Sequence, residues 1–112
     1  MLLNHFRWQN VEWKLYEYLG IIVFFYSNEH EPVHVHARCR GRENKAELVV
    51  ENGRVVDIIY SSVKGRTPLS GSEMKNFQNL TEHYAEEIVQ KWIDYFVLHE
   101  QIVPQKITQR IK

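Results

Sequence analysis

Cysteine is nearly absent from this sequence: Cys39 stands alone among 112 residues. A single thiol excludes an intramolecular disulfide and fits a reducing cytosol. Basic and acidic side chains number 14 each, so no net charge draws the chain to nucleic acid or a membrane surface. The longest apolar run, Gly20 to Tyr26, falls far short of the ~20 residues a membrane-spanning helix needs. The start, MLLNHFRWQN, lacks the basic and apolar regions of a secretory signal. Internal repeats, low-complexity tracts, paired CxxC motifs, a phosphate-cradling glycine loop and a Ser-His-Asp order are all missing. With net charge zero and no helix-turn-helix pattern, DNA binding is also disfavoured. The expectation is a single cytoplasmic domain spanning residues 1–112, outside any membrane. A chain of this length buries roughly 65% of its unfolded surface, enough for a real core.

Hydrophobic periodicity organises what remains. Residues 1–19 form an N-terminal extension that reads as strand or helix: Val11, Leu15 and Leu19 recur at helical spacing, while Val11, Trp13 and Leu15 alternate. Phe6, Trp8 and Trp13 are its large aromatics. Residues 20–60 read as strands. GIIVFFYS is a buried central strand, and Val33 to Arg40 alternates without a fault: Val33, Val35, Ala37 and Cys39 one way, His34, His36, Arg38 and Arg40 the other. A four-residue loop at Gly41–Asn44 would pair Arg38 with Glu47 and His34 with Glu51 on one face, and Ala37 with Leu48 on the other. Asn52-Gly53 marks the next hairpin. That register sets Asp57 against Leu48 on the buried face, a conflict that an edge strand, a bulge or a use for Asp57 would resolve. Residues 70–103 read as one long helix opened by a Ser70/Glu73 capping box, with Phe77, Leu80, Tyr84, Ile88, Trp92 and Tyr95 or Phe96 in one apolar stripe. His99 extends that line as a core histidine, and Pro104 stops the helix before a tail at 104–112. The predicted fold is α+β: a small antiparallel sheet of three to four strands covered on one face by the long C-terminal helix.

The chemistry concentrates in SNEHEPVHVHARCR, residues 27–40, where His30, His34 and His36 fall within seven residues. Three readings compete. In the first, His30, His34, His36 and Glu29 ligate a divalent metal such as zinc, since two histidines at i, i+2 on a strand can converge on one ion. Arg38 and Arg40 on the same face oppose a cation there. In the second, a metal-free phosphodiester site uses His34 and His36 as acid and base and Arg38 as anion clamp, with Tyr26 and Tyr60 stacking on a base. In the third, the strip is a solvated hairpin face. Elsewhere, His83 and Glu87 read as a solvated i, i+4 pair, and Cys39 as inert packing.

The segment GIIVFFYSNEHEPVHVHARCRGRENKAELVVENGRVVD resembles a small bacterial family, domain-of-unknown-function family 4160. The carriers are Glu29, His30, Pro32, His34 and His36, then Lys45, Ala46, Asn52, Gly53 and Val55, with Trp92 and His99 in a later helix. The likeness covers roughly residues 20–103. It departs at Val33, where the family's pattern has a second proline, and at Ala37, where it has a larger aliphatic. Members stand in two-gene modules resembling toxin–antitoxin systems, often beside a protein of domain-of-unknown-function family 2442. The resemblance therefore implies either a small toxin acting on RNA, a ribonuclease, or a non-catalytic module that binds a cognate antitoxin-like partner or forms a homodimer.

Overall fold

The β-branched and aromatic run IIVFFY forms β2 (Ile21–Tyr26), an interior strand whose neighbours are β1 (Glu12–Tyr18) and β3 (His34–Cys39). The computed structural model describes residues 11–29 and 32–111. β4 (Arg42–Glu51) and β5 (Arg54–Ser62) follow, then helices α1 (Gly71–His83) and α2 (Ala85–Phe96), then β6 (Gln105–Ile107). Sheet order is β5-β4-β3-β2-β1-β6, antiparallel throughout except for β6, which runs parallel to β1. The α+β class holds, but among the described residues the sheet has six strands instead of three or four and the long helix is two. Phe6 and Trp8 lie outside the described residues.

The residues of 12–18, open to strand or helix from sequence, form β1 with a bulge. Lys14 pairs with Phe24 and Tyr16 with Val23, leaving Leu15 as the extra residue. The bulge changes the parity of the strand, so Trp13, Tyr16 and Tyr18 share the core face, and Leu15 is buried too. That extra residue is why the segment carried both a period of 2 and a helical spacing.

The β3–β4 connection is tighter than expected. Arg40 and Gly41 both take left-handed backbone (φ 53° and 79°), a two-residue turn of the type that suits hairpin twist. His34 pairs with Glu47, His36 with Lys45 and Arg38 with Glu43, in place of the expected Arg38–Glu47 and His34–Glu51. The displacement is an even number of residues, so every side chain keeps its predicted face. In the β4–β5 hairpin, Val50 pairs with Val55 and Val49 with Asp57, so Val56 is bulged. The Asp57 conflict is thereby resolved: Asp57 is exposed, while Ile58 and Tyr60 turn inward.

The inward face carries Val23, Phe25, Val35, Ala37, Ala46 and Leu48, covered by Phe77, Leu80 and Ile88 from the helices. Phe77, Leu80, Tyr84, Ile88, Tyr95 and Phe96 of the predicted stripe pack on the core and Trp92 packs on Phe96, but the helix breaks at Tyr84 (φ −107°, ψ 19°), whose ring stacks on Tyr16 at 5.0 Å. No proline or glycine sits there. α2 ends at Phe96, well before Pro104. His99 is exposed in left-handed backbone (φ 58°), not a core residue, and Glu100 N donates to Asp94 O. The tail forms β6, and Ile111 N donates to Tyr18 Oη at 2.9 Å.

The capping box at Ser70 and Glu73 is present. Arg42 also forks onto Glu73, Nε to Oε1 at 2.9 Å and Nη2 to Oε2 at 2.8 Å, tying the hairpin to α1. That hydrogen bonding, first from Arg42 and then from the Ser70 backbone, holds the Glu73 carboxyl far below the usual range. A depressed carboxyl contributes stability above its unfolded pKa of about 4.3 and loses it as pH falls through the folded value. Urea unfolding should therefore show wild-type stability declining below about pH 5, with a shallower decline in Glu73→Gln. Equal acid slopes for the two proteins would contradict this.

Candidate metal centre

Alternation along β3 sends His34, His36 and Arg38 to the sheet face that the helices leave uncovered. Past β2 the chain turns back at Glu29, whose N donates to Tyr26 O at 3.1 Å and whose carboxylate reaches His34 and His36. Glu29 Oε1 lies 3.0 Å from His34 Nε2 and 3.0 Å from His36 Nε2. The three groups could hold a metal ion, their ligand atoms all within 4.8 Å of one another. His30, the fourth expected ligand, lies outside the described residues.

The outer ring nitrogens fix the protonation pattern. Pro32 O can only accept, so the His34 Nδ1–H donates to it at 2.6 Å. His36 Nδ1 is 2.9 Å from Oε2 of Glu43, a fully buried carboxylate, and donates there. Burial, partly opposed by contact with Glu29, pulls His36 below the ordinary histidine pKa. Burial raises the Glu29 carboxyl, but the two imidazoles outweigh it and keep the group below the usual range, an anion with lone pairs alone. The two Nε2 atoms and one carboxylate oxygen then meet at 3.0 Å on the side away from those acceptors. Such an arrangement requires a shared proton or a cation.

Aromatic rings hold the geometry. His36 stacks on Phe24 (5.5 Å) and meets Tyr26 edge-on (4.7 Å), with His34 at 5.3 Å. Tyr26 Oη donates to Glu43 Oε2 at 3.3 Å, and Arg66 Nε approaches Glu43 Oε1 at 3.6 Å. Arg38 does not face the cluster freely. Its guanidinium forks onto both oxygens of Glu12 and lies over the Phe24 ring at 4.7 Å. Tyr60 is on the opposite face, against Phe77. Glu87 accepts from Tyr16 Oη at 2.7 Å instead of pairing with His83. Cys39 is buried, and burial raises its thiol pKa.

Beside the cluster opens a cleft of about 420 Å³ lined by Asn28, Glu29, Pro32, His34, Lys45, Glu47, Ile59 and Ser61. Glu43, Lys45 and Glu47 belong to this face; the sequence reading set Lys45 and Glu47 there as strand residues, but left Glu43 in the loop without a role. Extending the period-2 alternation of β4 back through residue 43 would have found Glu43.

A family model, Domain of unknown function (DUF4160), matches residues 20–93. The chain belongs to this family. The DUF4160 span takes in every residue of the cluster and cleft and leaves out β1 and β6. No curated protein and no solved structure matches the chain. Among the described residues, no helix is long and apolar enough to cross a membrane.

Glu43→Ala leaves a buried imidazole N–H without its acceptor and should cost about 1–3 kcal/mol in urea unfolding. Lys45→Ala, exposed two residues along the same strand face, should stay within about 0.5 kcal/mol. Similar losses in the two variants would deny Glu43 its anchoring role.

Proposed function

We propose that Glu29, His34 and His36 bind a divalent metal, zinc, and that the protein is a metal-dependent phosphodiesterase acting on RNA. One observation carries the metal reading: each imidazole has its Nδ1 against a fixed acceptor on the protein side and its Nε2 3.0 Å from the same carboxylate oxygen. Metal-bound histidines are oriented in this way, one through a backbone carbonyl and one through a carboxylate. Two histidines and a glutamate make a known catalytic zinc set. Ligands about 2.0 Å from a tetrahedral ion stand roughly 3.3 Å apart, close to the 3.0 Å contacts here. The cationic neighbour that argues against a metal, Arg38, is neutralised by Glu12.

Three protein ligands leave a coordination position for water or substrate. Bound there, zinc supplies a Lewis acid and lowers the pKa of a coordinated water towards 7. The chain's own residues do the positioning. Glu43 and Pro32 hold the rings, Asn28, Glu29 and Pro32 wall the cleft, and Lys45 offers a cation to an approaching phosphate. RNA is the substrate class implied by the resemblance to toxin-like gene modules.

A second reading, a non-catalytic module for an antitoxin-like partner or a second copy, has one observation in its favour. β5 is a nine-residue strand at the sheet edge, with Val56 and Ile59 exposed.

Mass spectrometry of untagged protein should find one zinc per chain, absent from the His34→Ala plus His36→Ala variant. Glu43→Gln should bind zinc about 10–100-fold more weakly. Ferrous iron shares this donor set, and the same measurement tells the two metals apart. Metal-free wild type after zinc incubation would overturn the metal reading. The double variant should also lose any growth arrest or RNA degradation that the wild type causes on expression; undiminished activity would remove the catalytic reading.

By light scattering, wild type should be a monomer under the catalytic reading. A stable dimer broken by Val56→Lys would favour the interaction module.

A further inference from the structure

We propose that the cleft beside Glu29, His34 and His36 is a guanosine phosphate site, with Lys45 taking the phosphate and Glu47 reading the base; this rests on the metal reading above. Its floor is a grid of cross-strand rows. One row runs His36–Lys45–Ser61 and the next His34–Glu47–Ile59, across β3, β4 and β5. Lys45 and Glu47 are neighbours on one face of β4, their Cα atoms roughly 6.6–7 Å apart by strand rise. Both line the cleft, yet they do not pair with each other, and neither has an ion-pair partner among the described residues. Opposite charges left apart at that spacing suit a ligand that is anionic at one end and a hydrogen-bond donor at the other.

The anionic end belongs beside His36 and Lys45, where an ammonium acts as a point charge for phosphate and the metal position is adjacent. Glu29 and Glu47 are both negative, so the cleft favours one phosphate over several. At the other end, a carboxylate accepts two parallel N–H groups. Among the RNA bases only guanine offers two adjacent donors on one edge, N1–H and the N2 amino group. Adenine and cytosine set one donor beside an acceptor, and uracil sets one donor between two acceptors, which puts a lone pair against Glu47. Ile59, 48% exposed, and Pro32 give the ring plane apolar contact. A cleft of about 420 Å³ is of small-ligand size.

The test is calorimetric titration of the zinc-loaded full chain with GMP, AMP, CMP, UMP and inorganic phosphate. Short oligoribonucleotides with and without a single guanosine form a second arm. GMP should bind about tenfold or more tighter than the other nucleotides, the worth of a charge-assisted hydrogen-bond pair. Glu47→Gln should erase the preference, and Lys45→Gln should weaken all ligands, phosphate included, by a similar factor. GMP bound with the guanosine oligomer refused makes the ligand the free nucleotide; oligomer binding makes it RNA. Equal binding of the four nucleotides, or a guanine preference intact in Glu47→Gln, overturns this proposal and leaves the metal site standing. Failure of wild type to retain zinc overturns both.

Discussion

His34 and His36 each give their N–H away on the side facing the protein, to Pro32 O and to Glu43, and the rest of the site follows from that choice. A neutral imidazole has one donor and one acceptor, so fixing the donor fixes where the lone pair points. Burial makes the choice costly to reverse, because a buried N–H without an acceptor loses about 1–3 kcal/mol. Glu43 is the less obvious half of this arrangement. A fully buried carboxylate survives only with partners, and here they are the His36 ring, Tyr26 Oη and the nearby Arg66 guanidinium.

That Glu43 lies within reach of His36 is a consequence of the Arg40-Gly41 turn. With two residues in left-handed backbone the hairpin closes early, and Glu43 becomes part of β4 instead of a loop. The alternation of β3 was legible in the sequence because a strand's side-chain period is 2, and no even shift of register can move a residue to the other face. So the sharing of one face by His34 and His36, apart from the core, could be read directly. Their neighbours on β4 could not, since pairing depends on turn length, and Arg-Gly is a weaker turn signal than Asn-Gly.

Both bulges obscured the sequence for a related reason. A bulge adds one residue and flips the parity of everything beyond it. At Leu15 it made a strand resemble a helix; at Val56 it made Asp57 look buried. The helical stripe survived because α2 continues the rotation of α1 with Tyr84 stacked on Tyr16, so the break left no mark on the apolar spacing. β6 has three residues and depends on β1 for its pairing, so its information is almost wholly non-local.

The charge balance of the site reaches beyond the segment that the family match covers. Residues 20–93 contain the metal-binding candidates, Glu43 and the cleft, but the carboxylate that neutralises Arg38 is Glu12 on β1. Without it, Arg38 would stand two residues from His36 on the same strand face. At an effective dielectric near 20, a unit charge about 7 Å away opposes another by roughly 2 kcal/mol, and a divalent ion by more. β1 therefore does two jobs: its inward side supplies Leu15, Tyr16 and Tyr18 to the core, and its outward side neutralises Arg38 beside the group of two histidines and a glutamate that could hold a metal ion. The bulge at Leu15 joins them, because the outward register of Glu12 precedes it and the inward register of Tyr16 and Tyr18 follows it. Paired without the bulge, with all its residues kept, the alternation that sets Glu12 outward would turn Tyr16 and Tyr18 outward as well.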